Sequence, residues 1–251
     1  MILCHYDTRA FRFKPLMQSL ELLYPSTPTD CAATVLESVA LTPTIKSIRL
    51  HLDWEGFQFL PGQSVWPKFE RDGRQFTKIY SIASSPLQCP EVELCVSRVG
   101  WSSAYLQDLR VGETIPVRGP YGLMTLDRLP ERPRLYLAEG SGIAPLKSQI
   151  DWLHESGFPH PIWLIQANPE TADCLPYQAY WRSLSQTWPQ FHYQAAIGHS
   201  PEIVLAAQAL DLARFDIDIC AVGDRVDQLR DTVLVLGANS EQVRSEKFVA
   251  F

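Results

Sequence analysis

The chain has 251 residues, of which 46% are hydrophobic and 20% are charged. It can therefore bury a substantial core, and its charged residues are too few and too mixed in sign for a disordered chain. The 22 basic and 28 acidic side chains give a formal net charge of −6, which excludes the overall basic surface that nucleic-acid binding usually needs. The length favours two domains over one.

Residues 1–30 form an extension to which no function is assigned. Charged side chains interrupt every apolar run in residues 1–18, so we expect no signal peptide. No stretch of the chain approaches the ~20 apolar residues of a membrane-spanning helix. The six cysteines are scattered and none has zinc-ligand spacing. We therefore expect no disulfide framework, no metal site and a reducing, cytoplasmic location.

Residues 31 to about 117 carry the signals of many short strands. Segments rich in β-branched and aromatic residues, several of them alternating in hydrophobicity, are separated by proline and glycine. Many short strands at close spacing predict a barrel or a sandwich. The segments are ATVLESVAL, IKSIRLHL, FQFL, SVWPKF, FTKIYSIAS, VELCVSRV and TIPVRG.

After residue 122 the pattern changes to alternating strands and helices. RLYLAE, PIWLIQA, FHYQAAI and DIDICAVG have the composition of strands, and APLKSQIDWLHESG and PYQAYWRSLSQTW that of helices. This alternation predicts an α/β parallel sheet covered on both faces. The polar, proline-containing string LDRLPERPR is typical of a linker. We expect an extension over 1–30, a first domain over 31–128 and a second over 129–251.

Three short motifs have an ordinary structural interpretation when each is taken alone. K-I-Y-S at 78–81 lies on a predicted strand, where Tyr80 fits a barrel core. G-W-S-S at 100–103 opens the short helix AYLQDL, with Ser103 as its predicted N-cap. G-S-G at 140–142 joins a strand to a helix, a geometry that directs backbone N–H groups toward one point and can hold a phosphate. A simple tight turn explains that motif equally well.

The order of the motifs resembles that of the ferredoxin–NADP reductase superfamily, over roughly residues 31–251. P-G-Q at 61–63 is followed by K-I-Y-S, G-W-S-S, G-P-Y-G at 119–122, E-G-S-G-I-A-P at 139–145, Cys220 at a strand end and a closing S-E-K-F. The resemblance implies an N-terminal antiparallel β-barrel that binds flavin and a C-terminal α/β parallel-sheet domain that binds a nicotinamide nucleotide. The crevice between them would bring the two cofactors together.

The resemblance also implies roles for residues on the flavin side. Tyr80 would pack on the isoalloxazine ring, and Ser81 would act as a catalytic residue by hydrogen bonding near the flavin N5. Lys78 occupies the position of an arginine that contacts the flavin diphosphate. The diphosphate would be cradled by Gly100, Ser102 and Ser103.

On the nucleotide side, the resemblance places Cys220 by the nicotinamide ring as a second catalytic residue. Phe248 matches the aromatic residue of the family's terminal strand, and Phe251 is its rival for covering the flavin. The nucleotide site would be lined by Gly140, Ser141, Gly142 and Pro145.

The sequence departs from the family pattern at four places. Lys78 replaces arginine and so loses the bidentate fork. Glu139 stands where a small residue is usual, and is interpreted by itself as a solvated strand end. The family's Cys-Gly-x-Pro string is C-A-V-G here. After PIWLIQA, where users of NADPH often carry a cation, the chain has Glu170 and Asp173, so we predict NADH over NADPH.

These observations favour a flavin-dependent oxidoreductase in which NADH, or NADPH, gives hydride to bound FAD. The chain has no C-x4-C-x2-C run, so any iron–sulfur step would lie on a separate electron acceptor, a ferredoxin or an oxygenase component. One alternative is a flavin reductase that uses free flavin as a substrate. Another is a non-catalytic flavoprotein subunit or regulatory binding module.

Overall fold

The chain is built on two β-sheets that differ in the relative direction of their strands. The computed structural model describes residues 23–168 and 175–248. Within them, the first sheet is entirely antiparallel, as the family resemblance implies, and the second is entirely parallel, as the alternation of strands and helices predicts. We call the part built on the first sheet the barrel lobe and the part built on the second the α/β lobe.

The first sheet closes on itself. Its strands follow the order β4-β3-β7-β1-β2-β6, and β5 pairs with β3. Ile82, directly after β5, forms a bridge with Leu94 of β6, which joins the two ends of the sheet. The strands are β1 (Thr29–Ala40), β2 (Ile45–Leu52), β3 (Ser64–Arg71), β4 (Arg74–Thr77), β5 (Tyr80–Ser81), β6 (Glu91–Ser97) and β7 (Thr114–Tyr121).

The alternating sequence of β2 explains its position in the barrel. Ile48, Leu50 and Leu52 are at most 1% exposed, whereas Arg49 between them is exposed. Successive side chains of a strand point to opposite faces, so one face packs into the core and the other meets solvent. The predicted strand IKSIRLHL begins and ends at the same residues as β2, so this prediction is confirmed.

Two strand predictions in the barrel lobe are wrong. FQFL is a loop, and its alternation arises because Phe57 and Phe59 are both buried in the barrel core. FTKIYSIAS is two strands, β4 and β5, separated by two residues. Pro67 lies opposite this break, and because proline has no N–H it cannot complete the ladder there.

The second sheet has the strand order β10-β9-β8-β11-β12. Helices α2 and α3 pack on the face that meets the barrel lobe, and α4 and α5 pack on the other face. The strands are β8 (Arg134–Glu139), β9 (Ile162–Ala167), β10 (Phe191–Ala195), β11 (Asp216–Val222) and β12 (Val243–Phe248). The helices are α1 (Trp101–Asp108) in the barrel lobe, then α2 (Ile143–Glu155), α3 (Gln178–Thr187), α4 (Pro201–Ala207) and α5 (Arg225–Val235).

The linker between the sheets runs from the end of β7 to the start of β8. Both lobes contribute to one continuous hydrophobic cluster, in which Ile45 and Ala83 of the barrel lobe pack with Ile143 and Leu146 of α2. The boundary between residues 128 and 129 stays a prediction. Within the described part of the chain, every helix is too short or too polar to cross a lipid bilayer.

Candidate functional site

A cavity of about 510 Å³ lies between the barrel lobe and the carboxyl ends of the parallel strands. One wall comes from β5, β6 and the start of α1, and the other from the ends of β8, β11 and β12. The fold thus brings together nine of the residues that the sequence singled out. They are Lys78, Tyr80, Ser81, Gly100, Ser102, Ser103, Gly140, Ser141 and Phe248.

Tyr80 and Ser81 present a ring and a hydroxyl on the barrel wall. They form the short strand β5, which pairs with Ser64 and Val65 of β3. Ser81 is 4% exposed and Tyr80 is half-buried. Burial raises the pKa of the Tyr80 phenol, and a hydrogen bond with Ser102 partly offsets this shift. The phenol therefore stays neutral at physiological pH, and its ring offers an uncharged surface to the cavity.

The turn at residues 100–103 is closed by a serine inside the helix. The Ser103 hydroxyl accepts hydrogen bonds from the N–H groups of Val99 and Gly100, both at 3.0 Å, and donates to the Gly100 carbonyl at 2.9 Å. Helix α1 begins at Trp101, so the prediction that Ser103 is the N-cap is wrong. The first N–H groups of a helix have no partner within it, and here they belong to a cavity wall.

The turn Gly140–Gly142 is shaped by close packing against β11. A Cβ on Gly142 would lie 2.6 Å from the Cys220 carbonyl oxygen, so only glycine fits there. Gly140 has φ +55°, which a glycine adopts without strain. Helix α2 begins at Ile143, directly after this turn. The strand-to-helix turn that the sequence predicts is thus present, and its role in holding a phosphate stays a prediction.

Three predicted residues, Gly142, Pro145 and Cys220, lie behind the cavity wall rather than on it. Cys220 is fully buried beneath Gly142, and burial holds the pKa of its thiol well above the usual value. Pro145 is buried within the first turns of α2. The functional roles of these residues, like those of the residues that line the cavity, stay predictions. Phe251, like the acidic residues at 170 and 173, lies outside the described residues.

Glu139 differs from its prediction. It is 3% exposed rather than solvated, and the Arg225 guanidinium holds it through Nη2 at 2.9 Å from Oε1. The same nitrogen lies 2.9 Å from Glu202 Oε1. Hydrogen bonding to Glu139 raises the pKa of Arg225. The carboxylate next to the glycine turn thus shares with Glu202 a cation that sequence reasoning missed.

Nothing in the local sequence marks Arg225 as that partner. It lies 86 positions from Glu139, and the chain has other arginines in between. An acid beside a glycine turn does predict that some cation must lie nearby, but the fold alone selects which one.

Glu246 and Lys247 are two further residues of the cavity wall that the sequence did not single out. Burial raises the pKa of Glu246, whereas Lys247 pairs with Asp224 at 2.9 Å. Both precede Phe248 at the end of β12. The motif S-E-K-F contains both residues, but the family resemblance assigns a role only to its aromatic residue, Phe248.

Residues 32–126 match the family model described as the oxidoreductase FAD-binding domain. Among known proteins, the chain is 33% identical over 171 residues to the phenol hydroxylase P5 protein of Acinetobacter pittii, covering 67% of this chain and 47% of that protein. It is 34% identical over 128 residues to ferredoxin–NADP reductase B of Sorangium cellulosum, covering 50% and 52%. The chain thus spans about half the length of these curated relatives.

The fold is also similar to that of a solved structure, the FAD/NAD-binding domain of nitric oxide dioxygenase from Vibrio cholerae. The TM-score is 0.77 at 19% sequence identity, with 87% of this chain and 98% of that chain covered. At this identity the likeness concerns the fold. It agrees with the barrel lobe and the α/β lobe that the two sheets define.

Proposed function

The chain belongs to the ferredoxin–NADP reductase superfamily, and on that premise we propose that it is an NAD(P)H-dependent flavin oxidoreductase. In this proposal, hydride passes from the nicotinamide nucleotide to bound FAD, and electrons then pass to a separate acceptor protein. The observation that carries the proposal is the shared cavity, in which residues 78–81, Gly100, Ser102 and Ser103 of one lobe face Gly140 and Ser141 of the other.

The residues of the barrel wall fit FAD. Tyr80 supplies a half-buried aromatic surface, Ser81 a buried hydroxyl and Lys78 a cation at the same cavity. The turn at 100–103 supplies helix N–H groups for a diphosphate. When bound, FAD supplies the chemistry of accepting a hydride and releasing electrons one at a time, so the protein's task is to bind and orient.

The residues of the opposite wall fit a nicotinamide nucleotide. Gly142 allows the turn to pack on β11, and Gly140 and Ser141 line the cavity itself. The Arg225 guanidinium offsets the Glu139 carboxylate, which would otherwise oppose a diphosphate at this turn. We propose NADH as the preferred donor and NADPH as the weaker one.

The proposed acceptor is a ferredoxin or an oxygenase component. One relative is named as a ferredoxin–NADP reductase and another as a phenol hydroxylase protein, which supports both classes. A cytoplasmic location is part of the proposal.

Anaerobic mixing of the purified protein with NADH or NADPH tests the proposal. Retained yellow flavin that bleaches faster with NADH is the expected result. Protein that purifies without flavin, yet reduces added flavin with NADH, would instead support the flavin reductase. Retained flavin that neither nucleotide bleaches would support the non-catalytic subunit.

The acceptor class is tested by adding an oxidised ferredoxin, or an oxidised oxygenase component, to the protein after its flavin has been reduced. Electron transfer to a small ferredoxin, or to an oxygenase component, is expected to restore the flavin absorbance, and a stopped-flow instrument follows this change after mixing. Reoxidation by neither class would contradict the proposed partner while leaving the reductase step intact.

A further inference from the structure

A group of buried charged and phenolic side chains lies where the two lobes meet, away from the cavity wall. Its centre is Lys147 of α2, 6% exposed. The ammonium lies 3.1 Å from Glu93 Oε2 of β6 and 2.7 Å from Asp151 Oδ2. The Tyr177 hydroxyl donates to Glu93 at 2.8 Å, and the Tyr180 hydroxyl donates to Asp151 at 2.6 Å. We call these five side chains the interlobe cluster.

The two carboxylates of the interlobe cluster have different places in the fold. Asp151 lies on α2, one helical turn from Lys147, so their contact stays within the α/β lobe. Glu93 belongs to the barrel lobe, so its contacts with Lys147 and Tyr177 cross between the lobes. Although burial alone would lower the pKa of Lys147, the two carboxylates hold it well above its usual value. The crossing contact is therefore an ion pair.

Each end of the crossing contact is close in sequence to a cavity wall. Glu93 precedes Cys95, a cavity residue, by two positions on β6. Lys147 also donates to the Ala83 carbonyl at 3.3 Å, two positions after Ser81. On the other side, Lys147 lies about one helical turn after Ile143, the residue that follows the glycine turn.

We propose that Lys147 and Glu93 are positioning residues that hold the turn Gly140–Gly142 at a set distance from the β5 wall carrying Tyr80 and Ser81. The inference rests on the proposed function, because hydride transfer requires donor and acceptor held close to contact distance. Neither residue lines the cavity. They act through β6 and α2, which are stiff elements connecting the interlobe cluster to the two walls.

The matched substitutions are Glu93→Gln and Asp151→Asn. Both remove one carboxylate charge from Lys147 with little change in shape, but only the first weakens a contact between the lobes. We expect Glu93→Gln to slow anaerobic bleaching per bound FAD at saturating NADH by about tenfold, because small displacements of the reacting groups are costly. We expect Asp151→Asn to change it less than twofold, and flavin content to be unchanged in both.

A second matched pair covers the case in which Glu93→Gln fails to fold. Tyr177→Phe removes a hydrogen bond that crosses the lobes, and Tyr180→Phe removes one within the α/β lobe. The crossing variant is expected to be the slower of the two. Equal rates in both pairs, or a larger effect of the variants within the lobe, would overturn the inference.

Hydrogen exchange of the protein without cofactors supplies a readout independent of activity. Glu93→Gln is expected to speed exchange of the amides in both 95–97 and 140–143, whereas Asp151→Asn affects α2 alone. No difference between them at these two segments would overturn the inference. If the unmodified protein is bleached by neither nucleotide, the proposed function fails, and the exchange contrast still decides whether the cluster positions the walls.

Discussion

The two glycine-containing segments at the cavity, residues 100–103 and Gly140–Gly142, are held by contacts of very different range. At residues 100–103 the Ser103 hydroxyl bonds to groups three and four positions away. At Gly140–Gly142 the turn packs against the Cys220 carbonyl of β11. The residue before it, Glu139, forms an ion pair with Arg225, which lies 86 positions further along the chain. The first turn is thus held by residues that are close in sequence, whereas the second forms only when the parallel sheet is assembled.

Substitutions in the two turns should differ in how much of the structure they disturb. A change in the first turn alters a few hydrogen bonds near α1, since the rest of the barrel lobe does not depend on them. A change in the second turn acts on β8, β11 and the start of α2 together. We therefore expect the second turn to be the more sensitive of the two.

Gly142→Ala is expected to have the largest effect, because its Cβ would lie 2.6 Å from a backbone oxygen that cannot rotate away. The strain should cost about 1–3 kcal/mol of unfolding free energy. Displacement of the turn should slow flavin reduction by NADH about 100-fold. Stopped-flow bleaching and thermal unfolding measure both. Ser141→Ala is the control, because it changes the neighbouring cavity residue without a new clash.

Tyr80→Ala tests the barrel wall and should lower flavin retention about tenfold or more, since an aromatic contact surface is lost. The ratio of flavin to protein after gel filtration is the measurement. Tyr24→Ala, at a position that is 71% exposed, is the control and should keep its flavin. Unchanged flavin content in Tyr80→Ala would remove this residue from the flavin site.

Arg225→Met should destabilise the α/β lobe by about 2 kcal/mol, because the buried Glu139 carboxylate loses its cation. The KM for NADH should rise more than kcat falls, since an unpaired carboxylate would then oppose the diphosphate. Adding Glu139→Gln to Arg225→Met should restore part of the unfolding free energy, because Glu202 has also lost its contact with Arg225. If the double variant is no more stable than Arg225→Met alone, the pair does not act as described.

Ser103→Ala is expected to cost about 1 kcal/mol, the usual net contribution of an intramolecular hydrogen bond, here the one that the Ser103 hydroxyl accepts from the Gly100 N–H. Flavin affinity should fall only a few fold, and the rate of reduction by NADH should not change. Chemical denaturation and flavin titration give these quantities. Ser185→Ala removes an exposed hydroxyl bonded within α3 and provides the baseline. An effect as large as that of Gly142→Ala would contradict the contrast between the turns.

The smallest effect concerns the thiol beneath the second turn. Because burial raises the pKa of Cys220 well above 9.0, the reactive thiolate stays scarce at pH 8 and becomes populated only as pH rises far beyond that value. Iodoacetamide should therefore label Cys220 slowly in the folded protein at pH 8 and 9. Gly142→Ala should speed this labelling. Rapid labelling of the unmodified protein would show that the turn is open.

Much of this architecture follows from sequence pattern alone. Period-two alternation in β2 determines which side chains enter the barrel, and short apolar runs followed by helices determine a parallel sheet, because hydrophobic periodicity reflects which face is buried. The K-I-Y-S and G-S-G motifs likewise identify two segments that meet at the cavity. Local chemistry was sufficient for these features.

Only the tertiary structure decided the features that depend on partners far apart in the chain. It buried Phe57 and Phe59 in a loop, divided FTKIYSIAS opposite Pro67, and paired Glu139 with Arg225. It also formed the interlobe cluster from separate lobes. The physical reason is that burial and ion pairing are set by neighbours in space, and a sequence pattern reports only neighbours along the chain.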